Sequence, residues 1–468
     1  MMDSKFSSEF IEYLHCHIDD FLNDLSGLIA IPSVRDLATK GELAPFGQPI
    51  RQAFDYLIEF AEKQGLEVRD HQGYALDISV GQGEQEIALL HHVDVVPAGD
   101  DCQWRTPPYQ MTREGNMLYG RGVTDNKGPL MACLYILKLF KQLELPLNKK
   151  IRVIIGGAEE TTWECVEHYF KHNPQPDYGF SPDGDFPIVN GEKGILYATL
   201  EREFPTSSDN GSCQIKSLVS ERDRTSTCHH LVAELAGADA VKVAEQFAAF
   251  ANVIYDQSHC RVELSTPWEK SRNPHKVDNC MDKFVEVMRH VEGLDANSAH
   301  LITLLNSQFT KSHDGSKLGL SHQDDEMGTT TSCVSAINLD SRGYNLDFDF
   351  RFPKGLTIEQ VRTQLLALSQ QAGVNFIEHQ YLPLSYLSPE SALIQTMGKA
   401  YSDVTGMDAQ CFSKGAASYA RALEYGVAFG PTFPGEATFV HEPNEQLNLE
   451  SLIKAITIYV KVLISLQE

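Results

Sequence analysis

The sequence predicts an α/β protein: a mixed, largely parallel sheet lies between helices, and an α+β domain is inserted into it. Three observations carry this expectation. Short continuous apolar runs alternate with longer helical periodicities up to about residue 193, the texture of crossover units. Residues 346–352, reading L-D-F-D-F-R-F, then alternate strictly, as half-buried antiparallel strands do. Beyond residue 384 the first texture returns and ends in a long apolar helical pattern. A chain of 468 residues also exceeds the size at which one core keeps growing, so two domains are expected. The expected division is 1–194 and 385–468 for the first domain, with 195–384 inserted between them.

Taken in order, the N-terminal stretch carries apolar Phe10, Leu14, Ile18, Phe21, Leu22 and Leu25 at helical spacing, and Ile31-Pro32 ends the pattern. Asp3, Glu9, Asp19, Asp20 and Asp24 stand where a secretory leader would be basic and then apolar. Ile87-Ala88-Leu89-Leu90 and Val153-Ile154-Ile155 read as core strands. Between them a helix opens near Pro129, a residue tolerated in a first turn, and continues through Leu130, Met131, Leu134, Leu137 and Phe140. In the inserted domain, helices over 241–254 and 358–371 are expected to cover one sheet face. A Gly- and Pro-rich segment at 426–434 precedes the last helix, with Leu452, Ile453, Ile456, Val460 and Leu463 on its apolar side.

Composition narrows the function classes. The chain has 39 Lys+Arg against 64 Asp+Glu, a formal charge of -25, which repels phosphate backbones and anionic membrane surfaces. Neither nucleic acid nor a membrane is expected as a partner, and no stretch is long and apolar enough to span a bilayer. The ten cysteines include no Cys-x-x-Cys pair, which argues against zinc fingers, redox motifs and disulfide frameworks. A reduced, cytoplasmic protein is the expectation. The sequon at Asn210-Gly211-Ser212 is taken as a chance match.

Residues with chemistry collect where apolar runs end. The strand through Leu90 leads into His91-His92-Val93-Asp94, and on an extended segment residues 92 and 94 share a side. His92 can offer a ring nitrogen to a metal while Asp94 orients the imidazole; His91, facing the other way, reads as a satisfied polar residue. In Gly120-Arg121-Gly122-Val123-Thr124-Asp125-Asn126-Lys127-Gly128-Pro129, Asp125 is either a helix cap or a ligand. Glu159-Glu160 follow a core strand, where open α/β sheets place their ligand sites. Adjacent carboxylates repel, and a metal would relieve that, with one glutamate ligating and the other free to move a proton. Asp183 lies in an acidic turn and His441 in Phe439-Val440-His441-Glu442-Pro443. Each is weak alone, but together they form the oxygen- and nitrogen-rich set that a pair of borderline divalent ions prefers.

With these motifs in order, the sequence resembles the zinc-dependent family of carnosinase-like dipeptidases, glutamate carboxypeptidases and aminoacylases. It is most similar to bacterial Xaa-His or β-alanyl dipeptidases through Thr162-Trp163-Glu164-Cys165, Phe180-Ser181-Pro182-Asp183, Asn190-Gly191-Glu192-Lys193-Gly194 and Val427-Ala428-Phe429-Gly430. The resemblance spans nearly the whole chain and fades in the insertion. It implies a zinc-aminopeptidase-like catalytic domain with an inserted lid. It also implies two divalent ions, zinc before cobalt or manganese, bridged by Asp125. His92 and Asp183 would complete one site, Glu160 and His441 the other. Asp94 would support His92, and Glu159 would be the general base that takes the proton of the attacking water and passes it to the leaving amine. A cis peptide after Asp125 and a small peptide substrate are further implications. Arg351 would hold the substrate carboxylate, its alternative being a plain strand charge. Trp163 and Tyr419 are expected to pack rather than touch substrate.

The insertion departs from the family pattern. Lys270, in Lys270-Ser271-Arg272-Asn273-Pro274, stands where a histidine normally helps stabilise the oxyanion, and Thr225 replaces an asparagine. Lys270 or another donor substitutes, or the histidine is His275 or His229, or activity is reduced or redirected. A dipeptidase is therefore the leading expectation, with an N-acyl amino acid deacylase or a non-catalytic metal-binding protein as alternatives. The length of the insertion favours a monomer.

Overall fold

The computed structural model describes residues 12–205, 211–256 and 259–468. Asp3, Glu9, Phe10 and Asn210, used above, lie outside the described residues. Two compact units form: 1–191 with 386–412 and 418–468, and 192–385 with 413–417.

In the first unit four strands run parallel in the order Lys150–Gly156, Glu86–His92, Tyr178–Ser181 and Gly426–Ala428. Ala75–Val80 joins Lys150–Gly156 antiparallel, Glu67–His71 continues that edge, and Ile188–Glu192 pairs antiparallel with Gly426–Ala428. The sheet is thus mixed, with a parallel centre. Register sets Leu89 opposite Val153 and His92 opposite Gly156, so the two central strands end level with each other. Between them in sequence runs the helix Lys127–Gln142, buried continuously from Lys127 to Phe140. It is buried all round, Lys127 and Lys138 included, because the helices Ile18–Ile29 and Leu449–Ser465 pack on it while it covers the sheet. Gly128 is required at its start: a Cβ there would lie 2.0 Å from the Val123 carbonyl oxygen.

The second unit is an eight-stranded antiparallel sheet. Its order is Asn252–Asp256, His259–Ser265, His230–Ala236, Gln214–Ser220, Thr331–Leu339, Gly343–Phe352, Gly194–Glu203 and Asn375–Leu382. Leu346, Phe348, Phe350 and Phe352 face the core of this unit, as the alternation predicts. The intervening Asp347, Asp349 and Arg351 are not solvated as expected but buried. Ser271 and Arg222, from loops on that face, donate to Asp349 and Asp347. The expected helix over 358–371 forms as Ile358–Ala372, opened by a Thr357/Gln360 capping box and closed by left-handed Gly373. The expected helix over 241–254 does not: a short helix, Ala240–Glu245, gives way to the edge strand Asn252–Asp256. Val253, Ile254 and Tyr255, β-branched or aromatic, pair there with Val262, Arg261 and Cys260. Among the described residues no helix is long and apolar enough to cross a membrane.

Candidate metal centre

The centre lies in the first unit, past the C-terminal ends of the parallel strands, where such sheets hold ligands. His92, the last residue of Glu86–His92, is wholly buried. Its Nδ1 lies 2.9 Å from the Asp94 carbonyl oxygen. A proton on Nδ1 donated there leaves Nε2 as the free lone pair, and Nε2 faces Asp125 Oδ1 at 2.9 Å and Asp183 Oδ1 at 3.8 Å. The support expected from Asp94 therefore comes through its main chain. Its carboxylate, 3.6 Å from Nδ1, accepts instead from the amides of Glu159 (3.1 Å) and Glu160 (3.0 Å), fixing the turn that carries both glutamates.

Asp125 is shared. Its Oδ1 faces His92, and its Oδ2 lies 3.0 Å from His441 Nε2. His441 Nε2 also lies 3.1 and 3.0 Å from the two oxygens of Glu160. Two triads result, His92/Asp125/Asp183 and Asp125/Glu160/His441, each with ligand atoms within 4.8 Å of one another. The peptide bond from Asp125 to Asn126 is cis. The two triads differ in access: the His92 side chain is 0% exposed and that of His441 52%.

The donor chemistry fits divalent cations. Burial first, then the charges of Asp183, Glu160 and Asp125, push Glu159 well above the usual carboxylate range against the pull of His92. Burial and Asp125 push Glu160 up to about 7 despite His441. Asp125 is held well below its ordinary value by the two imidazoles, although burial opposes this. Acids this crowded and buried call for positive charge among them, which two divalent ions would supply.

Several supporting contacts escaped the sequence reading, while His91, read there as a polar residue with its own partner, has one through Nδ1. His91 Nδ1 lies 2.5 Å from Asn126 Oδ1, and burial pushes His91 down to about 3, so the ring is neutral. Asn126 Nδ2 in turn donates to the Pro182 carbonyl (2.7 Å) and to Asp183 Oδ1 (3.2 Å), which aims Asp183. Lys127, wholly buried and pushed down to about 7 by that burial, donates to the carbonyls of Leu28 and Ile31. Glu445 takes the Arg121 guanidinium at 2.7 Å inside the core. Tyr419 and Trp163 pack as expected: Tyr419 is buried, 5.9 Å from the His92 ring and 5.3 Å from Trp163. Gly156 permits this, since a Cβ there would meet Tyr419 Oη at 2.1 Å.

The remaining predicted residues belong to the second unit. Arg351 is 5% exposed, and its guanidinium is held by Asp349 (3.0 Å from Nε, 2.6 Å from Nη2), the Gly415 carbonyl, the Tyr197 hydroxyl and Ser271. Lys270 pairs with Ser226 in an isolated bridge, and its amide donates to Glu269 at 2.9 Å. Thr225 donates through its amide and hydroxyl to Asp223, and His229 Nδ1 lies 3.2 Å from the Thr227 carbonyl.

The sequence pattern of peptidase family M20/M25/M40 matches residues 88–465. The chain is 30% identical over 456 residues to the Bacillus subtilis (strain 168) protein named "Putative dipeptidase YtjP", covering 96% of this chain and 97% of that one. Aminoacylhistidine dipeptidase from Vibrio alginolyticus shares its fold, with a TM-score of 0.60 at 15% identity, over 95% of this chain and 96% of that one. So does Bacillus subtilis YXEP, described as a dinuclear metal-binding peptidase, with a TM-score of 0.53 at 10% identity, over 96% of this chain and 98% of that one.

Proposed function

This chain belongs to peptidase family M20/M25/M40, and on that premise we propose that it hydrolyses dipeptides with two divalent ions, zinc foremost, and Glu159 as general base. The observation that carries the reading is the sharing of Asp125 between two ligand triads, with an acid outside both triads beside them. His92, Asp125 and Asp183 would hold one ion, and Asp125, Glu160 and His441 the other. Bound there, the pair supplies Lewis acidity toward the scissile carbonyl and makes water a nucleophile at neutral pH.

The chain's own residues do the rest. Glu159 takes the proton of the attacking water and delivers it to the leaving amine. Asp94 keeps Glu159 and Glu160 in register through their amides, and Nδ1 of His92 stays protonated against the Asp94 carbonyl. Asn126, steadied by neutral His91, holds Asp183 at its angle. Arg351 is the proposed anchor for the substrate carboxylate, and Asp349 keeps its guanidinium plane fixed. Lys270 is the proposed donor to the oxyanion. Lys270→Ala is expected to lower kcat by about 10²–10³-fold, the cost of one oxyanion contact, with both ions retained. Unchanged turnover would remove Lys270 from the mechanism. A monomer acting on small peptides in the cytoplasm completes the reading.

The test is a substrate panel assayed with zinc-, cobalt- and manganese-loaded protein. It holds β-alanyl-histidine, other Xaa-His and Xaa-Xaa dipeptides, and N-acyl amino acids. Preferential cleavage of dipeptides is the expected result. Preference for N-acyl amino acids would make the protein a deacylase on the same scaffold, and no cleavage by ion-loaded protein would favour a binding role.

A further inference from the structure

Glu445 is a buried carboxylate that the reaction as set out does not use. Its side chain is 0% exposed and that of its partner Arg121 2%. Oε2 accepts from Arg121 Nη1 (2.7 Å) and the Gly122 amide (3.0 Å), while Oε1 accepts from the amides of Thr124 (2.9 Å) and Asp125 (3.0 Å). Its own carbonyl accepts from the Gly120 amide at 3.1 Å. One carboxylate therefore gathers the loop that ends in the shared Asp125. Such a network specifies geometry strongly because each carboxylate oxygen takes two donors, although Arg121 Nε is buried without a hydrogen-bond partner.

The same residue closes the segment that carries His441. Phe439, His441 and Asn444 all have left-handed backbones, with φ of 53°, 66° and 66°. Non-glycine residues stay in that region only where their surroundings hold them. Asn444 is held by the Arg105 amide at 2.7 Å and the Gln103 carbonyl at 3.0 Å, and Thr124 Oγ1 donates to the Gln446 carbonyl at 2.8 Å. Glu445 sits between these ties and carries the most donors. It touches none of the candidate ligand side chains; it fixes the backbones on which Asp125 and His441 stand.

We propose that Glu445 is a positioning residue for the second ion site: it joins the two segments supplying Asp125 and His441, so loss of its charge weakens that site before the first. The inference rests on the metal centre read above. The asymmetry follows from the ligand sets, since the Asp125/Glu160/His441 site takes two ligands from segments that Glu445 anchors and the His92/Asp125/Asp183 site takes one. Glutamine in its place keeps Oε1 for the Thr124 and Asp125 amides but turns an NH2 group toward Arg121 and the Gly122 amide, where donors then face each other.

The experiment is a cobalt titration of metal-stripped protein, followed by visible absorption and equilibrium dialysis. It compares the wild type, Glu445→Gln, and Glu445→Gln combined with Arg121→Met. The double variant removes the buried guanidinium that the single variant leaves unpaired, so it tests position rather than stranded charge. Two cobalt ions per wild-type chain are expected. In both variants the second ion should bind about 10–100-fold more weakly, with a smaller loss at the first, as for changes in groups that orient ligands. Excess cobalt should restore kcat with KM unchanged. Wild-type affinity at both sites in the double variant, equal weakening of both sites, or failure of the double variant to fold would each overturn the proposal. A wild type that binds no cobalt would overturn the metal centre itself and this inference with it.

Discussion

Glu159→Ala is expected to lower dipeptide turnover by about 10²–10⁴-fold, the usual share of a positioned acid–base group, and to leave two ions per chain bound. Glu159 stands outside both ligand triads, so its removal should not strip the ions. Its amide is already held by Asp94, and Glu160 keeps its own amide bond to that carboxylate, so the turn survives the substitution. KM should change little, since in the proposed role the side chain acts on a proton in flight rather than on bound substrate. Single-turnover kinetics with metal content measured on the same sample check this. Loss of the ions together with the activity would make Glu159 a ligand instead.

Asp125→Ala has the other large expected effect. Asp125 is the only residue common to both triads, so its loss should strip the second, more open site and weaken the first. The two ions would lower the barrier by several kcal/mol, so turnover should fall by about 10³-fold or more without them. His441→Ala is the informative companion: it removes a ligand from one triad alone and should leave close to one ion per chain. Metal analysis after gel filtration separates the two outcomes, and full occupancy in Asp125→Ala would contradict the bridging role.

The grouping of the candidate residues was legible in the sequence because they sit where apolar runs stop. His92 ends one core strand, the Glu159-Glu160 turn follows another, and Asp183 comes just after a third. The helix Lys127–Gln142 and the alternation of Gly343–Phe352 were equally plain, since a continuous apolar run and a two-residue period are local patterns. What the sequence hid is pairing over distance. Arg121 and Glu445 are separated by 324 residues, and a lone glutamate after Asn444 reads as a solvated acid. The bond of Asp94 to the 159 and 160 amides is hidden for the same reason, as is the chain from His91 through Asn126 to Asp183. The engagement of Arg351 by Asp349 had a local signal: on one strand, residues two apart share a face, so a buried Arg351 had a carboxylate beside it. The missing helix over 241–254 was lost to a β-branched and aromatic run that a neighbouring strand pairs more favourably.

In the proposed mechanism His92, Asp125, Glu160, Asp183 and His441 would hold two ions whose presence makes Glu159 a productive base. The most direct measurement strips the protein with chelator, returns zinc stepwise, and follows bound zinc and β-alanyl-histidine hydrolysis on the same sample beside Glu159→Ala. No hydrolysis is expected from the stripped protein, with complete recovery at two ions per chain and none in the variant at equal occupancy. Hydrolysis that survives stripping, or two bound ions with no cleavage of any dipeptide, would contradict this mechanism.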